Sequence, residues 1–229
     1  MGGARQRRGA KLSRRLRPVA LLGGTFDPVH VGHLRAALEI RDALGLGQVR
    51  LVPARVPPHR PQPRASAAQR LALLRLAVRG VPGLTVDERE LRRDGPSYMV
   101  DTLTGLRAEL GRRPLCLLVG DDAFRGLPGW HRWEALFDLT HLVVVQRPPL
   151  AGQEPTLPAP LRQALQGRWA DDPQALSGTP AGLVWKQPVP PLDISATRIR
   201  SLLKAGASAR FLVPDACLRY IRHHHLYTD

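Results

Sequence analysis

The chain has 229 residues, enough for one α/β domain with a sizeable core, and its 43% hydrophobic and 23% charged residues are ordinary for a folded protein. No apolar run approaches the roughly 18 residues that a membrane span needs, so a membrane-spanning chain is excluded and a soluble one expected. The net charge of +15 is nearly all arginine, since Lys11, Lys186 and Lys204 are the only lysines, which makes nucleic-acid binding the first class to weigh.

Residues 1–17 hold Arg5, Arg7, Arg8, Lys11, Arg14, Arg15 and Arg17 with no acid among them, so the remainder carries only +8. This segment reads as a disordered basic arm ahead of one domain over 18–229. It has no apolar h-region and is therefore not a secretory signal; its composition alone also fits an organellar presequence. Cys116 and Cys217 have neither metal-site nor disulfide-framework spacing, and a reducing cytoplasm is the expected location.

Short apolar runs recur along the chain: Val19 to Leu22, Val49 to Val52, Leu84 to Val86, Leu115 to Val119, Leu142 to Val145 and Leu183 to Trp185. They are continuous, not alternating, as strands buried on both faces of a parallel sheet require. Helical spacing lies between them in Val31, Leu34, Leu38, in Leu71, Leu74, Val78, and in Leu103, Leu106, Leu110. Ser66 with Gln69 predicts a capping box for the second of these helices, and Ser97 predicts a cap for the third. The alternation predicts a Rossmann-like, doubly wound parallel sheet with helices on both faces, whose ligands bind at the carboxyl ends of the strands. The proline-rich "PPHRPQPR" and the Pro/Gly-rich stretch 148–180 read as loops, the latter with one short helix near 161–169.

The first strand runs into "GGTFDPVHVGHL", Gly23 to Leu34. Gly23 and Gly24 allow a ligand to approach the backbone, Asp27-Pro28 turns the chain, and a helix starting near His30 offers free N–H groups and a positive dipole end to phosphate. His30 and His33 share one face of its first turn, with Gly32 between them keeping that face open. Two histidines near a helix start are commonly surface groups. Their coincidence with the glycines, the turn and the helix start favours a site for an anionic ligand.

This stretch resembles the HxGH signature of the nucleotidyltransferase superfamily, and in its long form that of the bacterial nicotinate-nucleotide adenylyltransferases. The resemblance implies a Rossmann-like enzyme of NAD biosynthesis that joins ATP and nicotinate mononucleotide. His30, His33 and Arg200 would be catalytic, and Gly23, Gly24, Thr25, Phe26, Ser195 and Thr197 would join them in binding ATP. "DISATRIRSLL" is similar to the family's phosphate-covering element, with Ser195 also a helix cap and Arg198 at its variable position. His59 and Arg60 in "VPPHRPQP" would meet the mononucleotide phosphate. In "ELRRDGPSYMVDTL", Tyr98 and Met99 fall where relatives receive the nicotinate carboxylate, Met99 replacing the usual Thr. The paired acids Asp121 and Asp122 in "LLVGDDAFRGLPGWHRW" could bind a metal, cap the following helix or accept from ribose hydroxyls; the resemblance selects Asp122 as the site acid and Trp130 as the ring that stacks on the pyridine, while Trp133 is expected in the core.

The resemblance also implies Mg²⁺ carried by the ATP phosphates, with no dedicated protein cage. The three histidines His223 to His225 point in different directions around a helix and are expected to be solvated. Alternatives within the class are a nicotinamide-mononucleotide or pantetheine-phosphate adenylyltransferase and a cytidylyltransferase. An RNA-binding module on a degenerate nucleotide fold is the alternative outside it, disfavoured by the paired histidines and the Ser-Thr-Arg cluster. The oligomeric state is not expressed in the sequence.

Overall fold

All six apolar runs become strands of one sheet: β1 (Val19–Gly24), β2 (Gln48–Pro53), β3 (Leu84–Val86), β4 (Leu115–Gly120), β5 (His141–Gln146) and β6 (Val184–Pro188). The structure is a computed structural model that describes residues 17–58, 61–146 and 156–228. The strand order is β3-β2-β1-β4-β5-β6 and every pairing is parallel, with Leu21 in register with Arg50 on one side and Leu117 on the other. Residues 1–16 of the expected basic arm lie outside the described residues.

The continuous apolar strands feed two cores. Ala20, Val49, Leu51, Cys116, Leu118 and Val143 point to one face, and Val19, Leu21, Leu115, Leu117, Leu142 and Val144 to the other. Each fully buried aliphatic side chain is worth about 1.5–3 kcal/mol of transfer free energy. The first face is covered by α1 (Val31–Ala43), α2 (Ala67–Val78), α8 (Ala196–Lys204) and α9 (Asp215–His223), and the second by α4 (Met99–Leu110), α5 (Asp121–Arg125), α6 (Leu136–Leu139) and α7 (Ala159–Ala164). The one-turn α3 (Arg89–Arg92) leads into α4.

The expected capping box closes α2: Ser66 Oγ accepts from Gln69 N (3.2 Å) and Gln69 Oε1 from Ser66 N (2.9 Å). The buried stripe of that helix is rotated from the expected one, to Arg70, Leu73, Leu74 and Ala77, and so includes an arginine. Ser97 does not cap α4. The helix begins one residue later, at Tyr98 as N-cap, and Ser97 Oγ instead accepts from Arg55 N (2.9 Å), tying α4 to the loop after β2.

The described part of 148–180 contains the one short helix expected there, starting two residues earlier and ending sooner than the expected 161–169, and is otherwise more ordered than a loop. It holds α7, a 3₁₀ turn at Pro173–Ser177 with the Asp172 carboxylate accepting from Gln174 N (2.7 Å), and a bridge from Trp169 to Val184; residues 148–155 lie outside the described residues. α9 packs on α2 through the Cys217 thiol, which donates to the Leu73 carbonyl (3.3 Å). Burial pushes the thiols of Cys116 and Cys217 up to about 12, so both are inert packing groups. His223, His224 and His225 are exposed. No helix among the described residues is long and apolar enough to cross a membrane.

Candidate active site

The sheet changes winding direction between β1 and β4, and a cleft of about 2010 Å³ opens there at the carboxyl ends of the strands. Sites for single small ligands commonly span about 300–1,000 Å³, so this cleft has room for two nucleotides. The first, middle and last motifs of the sequence all reach it.

The β1–α1 corner forms its floor. A Cβ on Gly23 would stand 2.7 Å from the Met99 methyl, and one on Gly24 would stand 3.1 Å from the Phe26 ring, so a side chain at either position would displace a neighbour that lines the cleft. Phe26 adopts φ 51°, is buried, and meets the His33 ring edge-on at 5.1 Å. α1 starts with His30 as N-cap. The imidazoles of His30 and His33 stack with centroids 3.6 Å apart and planes 21° apart. His33 Nδ1 accepts from the His30 backbone N–H (3.3 Å), which leaves Nε2 as the ring N–H donor. A Cβ on Gly32 would come within 3.0 Å of His30 Nδ1, so this glycine keeps room for the stack.

Asp27, which the sequence presents as a turn residue, is the junction of the site. It is buried, and its carboxylate accepts from Arg64 N (2.8 Å), Ala65 N (3.1 Å) and the Tyr227 hydroxyl (2.8 Å). Arg70, 1% exposed, donates to the carbonyls of Thr25 (2.8 Å), Ala65 (3.3 Å) and Arg55 (3.4 Å). Burial lowers the Arg70 pKa against the opposing charge of Asp27, and burial followed by the nearby Asp27 raises that of Tyr227. Such groups are legible in sequence only through weak signs: an acid inside a glycine-rich motif, and an arginine on an apolar helix face.

α8 brings the last motif over the corner. Ser195 Oγ accepts from Arg198 N (3.2 Å) and caps the helix as its spacing predicts. Arg200 Nη1 donates to the Asp27 carbonyl (2.7 Å) and Nη2 to Thr197 Oγ1 (3.3 Å). Ser195, Thr197 and Arg200 line the same cleft as His30 and His33, whereas Arg198 is exposed and turns back to the Asp193 carbonyl (3.4 Å).

Across the cleft stand Tyr98, Met99, Asp122 and Trp130. Tyr98 lies against His131 with ring centroids 4.4 Å apart, and Trp130 is half-buried beside the second core. The Asp122 carboxylate is fully exposed and bonds Arg125. Trp133, expected in the core, is only partly buried and packs edge-on against Phe137 at the margin of the second core. His59 and Arg60 lie outside the described residues. Among the described residues no group of three or more His, Cys, Asp or Glu side chains is placed to hold a metal ion.

The chain matches the cytidylyltransferase-like family over residues 21–202. A protein of Pseudomonas aeruginosa named "Probable nicotinate-nucleotide adenylyltransferase" is 56% identical over 213 residues, 91% of this chain and 96% of that one. The chain belongs to the nicotinate-nucleotide adenylyltransferase family. An identically named protein of Aeromonas salmonicida is 50% identical over 92% of this chain and 97% of its own. The fold of the family extends further. The Plasmodium falciparum nicotinic acid mononucleotide adenylyltransferase, solved with NaAD, superposes with a TM-score of 0.70 at 13% identity, over 92% of this chain and 97% of that one.

Proposed function

We propose that this family member transfers the adenylyl group of MgATP to nicotinate mononucleotide, giving nicotinate adenine dinucleotide and pyrophosphate, as a step of NAD biosynthesis. A phosphate oxygen of the mononucleotide attacks the α-phosphorus, the bond to the bridging oxygen of pyrophosphate breaks, and the electron pair leaves with pyrophosphate. Such a displacement asks the protein for little covalent chemistry. It needs two polyanions held in line and their growing charge neutralised.

The observation that carries this reading is the meeting of the stacked His30–His33 pair with Thr197 and Arg200 in one cleft, joined through Asp27. His33 Nε2 and the His30 ring contact the ATP phosphates. The first N–H groups of α1 and the glycine backbone of β1 accept the nucleotide closely, with Thr25 and Phe26 completing that wall. Ser195, Thr197 and the remaining Arg200 donors cover the leaving pyrophosphate. Mg²⁺ carried by ATP would supply charge neutralisation of the phosphates, with water and substrate oxygens expected as its main ligands.

His59 and Arg60 take the mononucleotide phosphate. The turn at Tyr98 and Met99, where α4 has no side-chain cap, receives the nicotinate carboxylate. Trp130 stacks on the pyridine ring and Asp122 accepts from a ribose hydroxyl. Two separate, buried, free cysteines fit a cytoplasmic location.

Pyrophosphate release from MgATP measured in parallel with nicotinate mononucleotide, nicotinamide mononucleotide and phosphopantetheine, and with CTP replacing ATP, tests the reading. Release with nicotinate mononucleotide is expected; turnover only with phosphopantetheine or only with CTP would reverse it.

A further inference from the structure

Glu90 is 3% exposed, yet it lines the cleft on the side of Tyr98 and Met99. Thr102 Oγ1 donates to its carboxylate across 2.6 Å, and the Ser97 hydroxyl holds it as well. Both donors flank the start of α4, and Ser97 is itself bonded to the Val56 carbonyl through its N–H (3.0 Å) and to Arg55 N through its Oγ (2.9 Å). A carboxyl group is thus packed directly behind the turn assigned above to the nicotinate carboxylate. None of the roles assigned above uses it.

We propose that Glu90 is the specificity-determining group of the pyridine subsite: in its neutral form it admits a ring bearing a carboxylate, and in its ionised form it favours the uncharged carboxamide. The inference rests on the function proposed above. An ionised acid this deeply buried repels a second carboxylate at close range with little solvent screening, while a carboxamide feels no such penalty. Burial is the largest influence on Glu90 and raises its pKa, opposed by the Thr102 and Ser97 hydroxyls.

The charged groups that face Glu90 are Arg93, which donates to the Tyr98 carbonyl (3.3 Å) and favours ionisation, and Asp87, which opposes it. Asp87 is held by Arg89 and Arg50. His131, against Tyr98, is a further titratable neighbour of the subsite.

The test is the ratio of kcat/KM for nicotinate mononucleotide to that for nicotinamide mononucleotide, from pH 5.5 to 9, in the wild type and in Glu90→Gln. Protonation of ATP and of the mononucleotide phosphate affects both substrates alike and cancels in the ratio. The wild-type ratio should fall as pH rises. Glu90→Gln, which keeps the acceptor for Thr102 and Ser97, should give a flat profile with a ratio about tenfold above wild type at the alkaline end.

A flat wild-type profile, or a Glu90→Gln profile that falls as the wild type does, would overturn the inference; the second result would place the titrating group elsewhere. The wild-type profile stands as a test even if the variant does not fold. Absence of pyrophosphate release with both mononucleotides would overturn the functional reading together with this one.

Discussion

The Arg200 guanidinium donates a 2.7 Å hydrogen bond to the backbone carbonyl of Asp27 across 173 residues of sequence. The bond fixes α8 over the β1–α1 corner and leaves the other donors of Arg200 for Thr197 and for ligand. Arg200→Lys keeps the charge but loses the planar fork. Turnover should fall by about 100-fold, the scale of losing one donor to a developing charge, with nucleotide affinity falling less. Steady-state kinetics beside calorimetric ATP binding check this. Equal losses in both would mean that Arg200 only binds ground-state nucleotide.

Gly32 separates packing from chemistry. It is the second residue of α1, where Ala is the better helix former by up to about 1 kcal/mol, yet its Cβ would press on the His30 ring. Gly32→Ala should hold or raise Tm while lowering kcat. A variant with unchanged kcat would show that the precise stack of imidazoles is unimportant.

Asp27 supports two backbone amides and one hydroxyl, and its charge offsets that of buried Arg70. Asp27→Ala leaves all of these unsatisfied and should cost about 3–5 kcal/mol, the range for breaking a buried charged network. Tyr227→Phe removes one bond and should cost about 1–2 kcal/mol. Urea unfolding of the two variants measures the difference, and a Tyr227→Phe loss as large as that of Asp27→Ala would assign the stability to the C-terminal segment instead of the carboxylate.

Acid should weaken the contact between β2, α3 and α4. Arg50 and Arg89 both bond Asp87 and Glu109. Burial works to raise the Asp87 pKa, but the Arg89 hydrogen bonds and the charges of Arg89 and Arg50 outweigh it, so the net shift is downward; the Arg89 bond lowers Glu109. Depressed carboxylates contribute stability that is present above their unfolded pKa, near 4, and lost as pH falls through the lower folded value. Asp87→Asn should therefore flatten part of the fall in Tm below pH 4 and lower Tm at pH 7. An unchanged acid limb would remove Asp87 from the account.

The frame of the protein is legible because its signals are local. Six apolar runs place the strands, and Ser66, Gln69 and Ser195 place caps through spacings that act within a single turn. The site motifs are legible for the same reason, since His30 and His33 sit one turn apart. Asp27, Arg70 and Tyr227 are hidden because their roles depend on partners far away in sequence, such as Tyr227, 200 positions after Asp27; Glu90 is hidden because its one-turn helix is too short to show a buried face. Ser97 misleads as a cap because a bond to Arg55, 42 residues away, takes its hydroxyl.

The most direct test of the central claim, that the imidazole pair and α8 gather phosphates for adenylyl transfer, is the turnover of His33→Ala with MgATP and nicotinate mononucleotide, read beside its Tm. A fall of about 100-fold or more at nearly unchanged Tm is expected. Turnover close to wild type from a well-folded His33→Ala protein would contradict it.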